Sequence, residues 1–118
     1  MTDFTPCPKP TKQPKAQPTG KDPAYLAKVA LLPCCICQAF GMVQTSKTTV
    51  HHWIIDRPIP NQRTPDGEAI PLCEHHHQAR YGREEGKLPI HHGQEAWQAA
   101  YGPDHEYIEA TINAVENN

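Results

Sequence analysis

Cys34-Cys35-Ile36-Cys37, His51-His52, Cys73-Glu74-His75-His76-His77 and His91-His92 follow one another along residues 34–92. This stretch is half of a 118-residue chain, yet it holds four of the five cysteines and seven of the eight histidines. Thiols and imidazoles at this density are metal-ligand types. In a tetrahedral structural zinc site the ligands typically come as two close pairs from distant parts of the chain. Cys34 and Cys37 have the spacing of one pair. Cys73 and His76 make the other, because residues three apart on a helix share a face and converge on one ion. Cys35 is the spare of the triplet and replaces Cys34 only with a tighter, less usual spacing.

The neighbouring histidines then divide. On a helix His77 is turned about 100° from His76, so it points to a second site. His51 and His52 on a strand face opposite ways, so one is free to hold a metal while the other does something else. A free imidazole near a bound cation is suited to take a proton from water at neutral pH.

The rest of the chain is read outward from this stretch. With 37% hydrophobic residues and 13 prolines, it supports one small domain, a size at which a metal staple is useful. Residues 1–21 are proline-rich with no apolar periodicity, which predicts a disordered, partly polyproline-like arm. Lys9, Lys12, Lys15 and Lys21 make the arm basic and suited to tracking phosphates. Cys7 lies in it without a neighbouring ligand. No apolar run has the length of a signal peptide or a membrane span, which predicts a cytoplasmic protein without a membrane partner. In a reducing compartment the cysteines favour zinc over disulfides. The net charge of −2 provides no global basic field, so any affinity for nucleic acid is local.

Asp22-Pro23 is an N-cap followed by proline at the first helical position, and Tyr25, Leu26, Val29, Ala30 and Leu32 recur at helical spacing up to Pro33. β-branched residues between Gly41 and Asp56 predict a strand ending near the histidine pair, and Glu68 to Leu72 a returning strand. Arg57 to Gly67 is a loop. Nothing from Cys73 to about Arg83 breaks a helix before Gly82, which predicts a helix over that span. Gln94 to Tyr101 and the segment carrying Tyr107, Ile108, Thr111, Ile112 and Val115 are amphipathic helices.

The ordered run Cys34-x-x-Cys37, His51-His52 and Pro71-Leu72-Cys73-x-x-His76-His77 resembles the HNH, or ββα-metal, endonuclease superfamily. Within it the likeness is to the phage-type recombination-enhancement nucleases and their relatives, over about residues 34–103. The resemblance implies a small α+β fold over residues 22–118: a zinc-stabilised ββα-metal core with flanking helices and little regular secondary structure, behind the disordered arm. It implies that His51 is a metal ligand, His52 the general base, Asp66 the residue that orients the base, and His77 the next ligand. Related sequences often place a further histidine four residues after His77, where this chain has Tyr81. We expect an insertion over Arg80 to Pro89 to displace the last ligand to His91, with His92 as its substitute.

The expected activity is hydrolysis of DNA phosphodiester bonds in a bacterial host cell, on strands presented by a recombination protein filament. Zn²⁺ would be structural and a second divalent ion (Mg²⁺, Mn²⁺, Zn²⁺ or nickel) catalytic, since imidazole ligands admit them all. Arg57, Arg63, Arg80 and Arg83, with Lys87, flank the motifs as expected phosphate contacts. The alternative is a non-catalytic zinc module that binds nucleic acid or a protein partner, with the arm giving affinity; it has no use for His52.

Overall fold

The computed structural model describes residues 20–117. The arm's Lys9, Lys12, Lys15 and Cys7 lie outside these residues. The last residues assigned to the arm belong to the folded unit: the Gly20 carbonyl accepts the Asp66 N–H at 2.8 Å.

The first helix, α1 (Pro23–Val29), begins where the sequence places it. Asp22 caps it by accepting the Tyr25 N–H at 3.2 Å, and the Asp22 N–H donates to Asp66 Oδ2 at 2.8 Å. One aspartate thus closes the helix end while its backbone ties that end to the loop of the candidate site. Pro33 prevents the helix from continuing. A short second helix, α2 (Cys35–Phe40), follows and was not foreseen. Its start is built on Cys34, whose Sγ accepts the Cys37 N–H at 3.5 Å. Gly41 ends it in the left-handed region (φ 67°), which a residue without Cβ adopts without strain.

Strand β1 (Thr48–His51) pairs antiparallel with β2 (Ile70–Cys73), in the register Thr48 with Cys73 and His51 with Ile70. The pairing brings the histidine pair and Cys73 to opposite ends of one short ladder. β2 is buried along its whole length, and helix α3 (Glu74–His77) follows it directly. This helix is a correction to the sequence reading, which carried it to about Arg83. Gln78 ends the helix and Ala79 takes φ 50°. Histidine is an indifferent helix former, and Glu74 supplies competing acceptors. Its carbonyl takes the Ala79 N–H at 2.7 Å, and its Oε2 takes the Arg80 N–H at 2.7 Å.

Two further helices, α4 (Gln94–Tyr101) and α5 (Ile108–Glu116), close the fold, each preceded by a single 3-10 turn, Ile90–His92 and Asp104–Tyr107. Among the described residues this makes a small α+β unit of five helices and a two-stranded sheet, and no helix is long and apolar enough to cross a membrane.

The main core gathers Ile36, Ile55, Ile70, Leu72, Ile90, Trp97 and Tyr101 around Cys34, Cys37 and Cys73. Trp97 is fully buried and its Nε1 donates to the His76 carbonyl at 3.1 Å, so α4 fastens α3 from behind. A smaller cluster of Val29, Leu32 and Val115 joins α1 to α5.

Candidate functional site

Cys34, Cys37, Cys73 and His76 converge in a buried group with all four ligand atoms within 4.8 Å of one another. His76 Nδ1 lies 3.5, 3.7 and 3.3 Å from the sulfurs of Cys34, Cys37 and Cys73, and the Cys37 and Cys73 sulfurs are 3.9 Å apart. A tetrahedron with Zn–S of about 2.3 Å has an edge of about 3.8 Å, so the four atoms lie close to the corners zinc requires. The electrostatics agree with the geometry. Hydrogen bonding to Cys34, with help from His76, lowers the Cys73 thiol to about 3, and the same bond raises Cys34. Burial and the charge of Cys73 raise Cys37. Without a cation the group accommodates one thiolate, because further negative charge in so small a buried space is repelled. A divalent ion removes that penalty. The donor set therefore fits a structural Zn²⁺. Cys35, half-buried, stays outside the group.

The second group is His51, His77 and His91, again with ligand atoms within 4.8 Å. Their ring centroids are 5.0 Å apart for His51 and His77, 5.6 Å for His51 and His91, and 4.9 Å for His77 and His91. His51 and His77 are buried and His91 is exposed. Burial, reinforced by His51 and His91, lowers His77 to about 3, and burial also lowers His91. Both rings are therefore neutral at neutral pH, the form that offers a lone pair to a metal.

Hydrogen bonding assigns the tautomers of two of the rings. The Thr49 hydroxyl donates its one proton to the Leu72 carbonyl at 2.7 Å, so it accepts from His77 Nδ1–H at 2.7 Å. His77 Nε2 is left as the bare nitrogen. His51 Nε2–H donates to Asp104 Oδ2 at 2.8 Å, which leaves Nδ1 for the metal. Asp104 is fully buried and also accepts the backbone N–H groups of Ile54 (2.8 Å) and Ile55 (3.3 Å). A carboxylate fixed in this way orients a ligating histidine and raises its basicity.

Neither partner was found in the sequence. Asp104 stands far from His51, in a Gly-Pro-Asp segment that reads only as punctuation. Thr49 did leave a signal, because residues two apart on a strand share a face and Thr49 therefore lies beside His51. Asp104→Asn is expected to weaken Co²⁺ binding at the histidine group about 10–100-fold while the zinc retained through dialysis stays constant. A metal titration of the zinc-loaded protein measures this, and unchanged Co²⁺ affinity would remove Asp104 from the site.

His52 follows directly after the end of β1 and bonds a different carboxylate from His51. Its Nε2 lies 2.8 Å from Asp66 Oδ1. Burial alone would raise the Asp66 carboxyl, but the Asp22 N–H and His52 outweigh it and hold the group below its ordinary value. Asp66 is thus an ionised acceptor. Donation from His52 Nε2–H to that carboxylate selects the tautomer whose lone pair is on Nδ1. A cavity of about 430 Å³ is lined by His51, His52, His77 and His91 together with Arg57 and Arg63.

Other charged residues expected at the phosphates turn elsewhere. Arg80 donates from Nε to Glu74 Oε2 at 3.2 Å and does not line the cavity. Arg83 Nη2 meets His92 Nδ1 at 3.2 Å, outside the histidine group. Lys87 is buried, donating from Nζ to the Val43 carbonyl at 2.6 Å, where its charge favours the Cys37 thiolate. His75 pairs with Glu84 at 3.1 Å. Comparison of the chain with protein-family models, with curated proteins and with solved structures finds no match.

Proposed function

We propose that this protein is a metal-dependent DNA endonuclease of the HNH type, in which β1, β2 and α3 form the ββα-metal core. The observation that carries the reading is the cavity where the three imidazoles of His51, His77 and His91, the ring of His52 bonded from behind by Asp66, and two arginines meet. Three protein ligands leave coordination positions open toward that cavity, as in catalytic rather than structural metal sites. His51, His77 and His91 would hold a divalent ion, which would supply Lewis-acid charge toward a phosphodiester in the cavity.

The remaining chemistry falls to the chain's own residues. Asp66 accepts from His52 Nε2–H and so holds the ring with Nδ1 available as general base toward a water in the cavity. Arg57 and Arg63 neutralise phosphate charge and fix its position. The cysteine group holds α2 and the β2–α3 corner together, which keeps His77 aligned with His51. A zinc module that only binds a partner needs the cysteine group alone. It has no use for an oriented imidazole with a free nitrogen beside a second ligand set.

The experiment is a cleavage assay on single-stranded, duplex and branched DNA with Mg²⁺, Mn²⁺, Ni²⁺ or Zn²⁺ added. Cleavage that depends on the added ion, in protein whose structural zinc is already bound, is the expected result. Intact DNA under every ion would leave the binding-module reading in its place.

A further inference from the structure

A second and larger groove, of about 780 Å³, lies on the far side of the His52–Asp66 pair from the histidine cavity. Asp66 lines the one and His52 the other, and Arg63 lines both. The two spaces are therefore neighbours, separated by one hydrogen-bonded pair and sharing one arginine. The walls of the groove are Trp53, Pro58, Ile59 and Pro65, with Lys21 and Arg63 as its cations. Ile59 is 54% exposed and adds an apolar side chain to the wall.

The indole of Trp53 is held in place from several directions. Its Nε1 donates to Glu68 Oε1 at 2.9 Å, the His105 ring meets it edge-on at 5.4 Å, and its carbonyl accepts the Thr64 hydroxyl at 3.1 Å. The residue remains half-buried, an aromatic surface fixed in orientation and partly uncovered. The Asp66 carboxylate accepts from His52 and the Asp22 N–H, and Glu68 accepts from Trp53, so the hydrogen-bonding capacity of both anions is partly taken up inside the fold. Lys21 and Arg63 stand beside them in the groove. The groove thus offers an aromatic and apolar floor with two cations at its walls, features that bind single-stranded nucleic acid by stacking a base and holding its phosphates. Its volume is within the roughly 300–1,000 Å³ of pockets that enclose small ligands.

We propose that this groove takes an unpaired nucleotide of the DNA strand being cut, its base against Trp53 and its phosphates on Arg63 and Lys21. A base can enter such a space only when it is out of the duplex stack, so the favoured substrate is single-stranded or locally unpaired DNA. The inference deepens the nuclease reading and rests on it for the identity of the strand.

The chain has two tryptophans, and Trp97 is fully buried, so quenching of the indole fluorescence by a stacked base reports Trp53. The zinc-loaded full chain, without added divalent ion, is titrated with a mixed-sequence single-stranded oligodeoxynucleotide and with a duplex of the same length. The single strand is expected to quench and to bind more tightly than the duplex. Trp53→Ala is expected to raise its Kd about 10-fold, and Trp53→Phe, which keeps an aromatic face, to stay within about threefold of the parent. Zinc content of each variant reports whether the fold is intact.

Absent quenching, equal binding of duplex, or an unchanged Kd in a zinc-retaining Trp53→Ala protein overturns the groove assignment. Its failure is separable from failure of the nuclease reading. Cleavage without quenching removes the groove alone, and quenching without cleavage under any ion removes the nuclease and leaves a single-strand binding site.

Discussion

Replacing Cys73 with serine is expected to release the structural zinc and abolish cooperative unfolding. Cys73 ends β2, caps the start of α3 and places its sulfur 3.3 Å from His76 Nδ1 and 3.9 Å from the Cys37 sulfur. A serine hydroxyl is a poor zinc ligand and is also smaller, so the remaining donors would lose their common centre. The apolar residues of the main core surround this group, and no second large core exists among the described residues to hold the fold without it. Structural zinc contributes about 10–16 kcal/mol of apparent binding free energy in small zinc domains. That is comparable to or larger than the whole stability of a typical domain, about 5–15 kcal/mol. Loss of the ion should therefore remove the fold rather than soften it. Metal analysis after dialysis, together with a denaturant titration, checks the result. Cys35→Ser is the control, because Cys35 lies outside the group and should keep its zinc. Folded, metal-free parent protein would contradict the assignment.

His52→Ala is expected to lower divalent-ion-dependent DNA cleavage by about 10²–10⁴-fold, the usual contribution of a positioned general base. Zinc content and folding should not change. His52 is half-buried and outside both ligand groups, and Asp66 keeps its bond to the Asp22 N–H when the imidazole is removed. Asp66→Asn tests the same step from the other side, since an amide loses the charge that holds the proton on His52 Nε2. Its cleavage rate should fall as well, with ion binding at the histidine group unaltered. Unchanged cleavage in the His52→Ala protein would eliminate the mechanism even if the protein proved to be a nuclease.

The sequence was most informative where chemistry depends on short spacing. Cys34 and Cys37, and Cys73 and His76, are each three residues apart, the spacing of close ligand pairs, and in each pair the first residue is the N-cap of the helix that carries the second. The separation of His77 from His76 follows from the helical turn. Reading failed where a long-range contact competes with local propensity. The α3 segment carries no glycine or proline, yet it stops at His77 because the buried Glu74 takes the N–H groups that would have continued the helix. Arg80 and Lys87 likewise have partners that their spacing did not announce, Glu74 for one and the Val43 carbonyl for the other.

The sequence by itself pointed to two groups of ligand-type residues rather than one, because a helix over His76 and His77 turns these neighbours to different faces. Only the tertiary structure decided which nitrogen of each ring is free. That depends on Thr49 at His77, Asp104 at His51 and Asp66 at His52, two of them carboxylates from remote segments. A hydrogen bond acts over about 3 Å, and partners so distant along the chain leave no periodic trace in it.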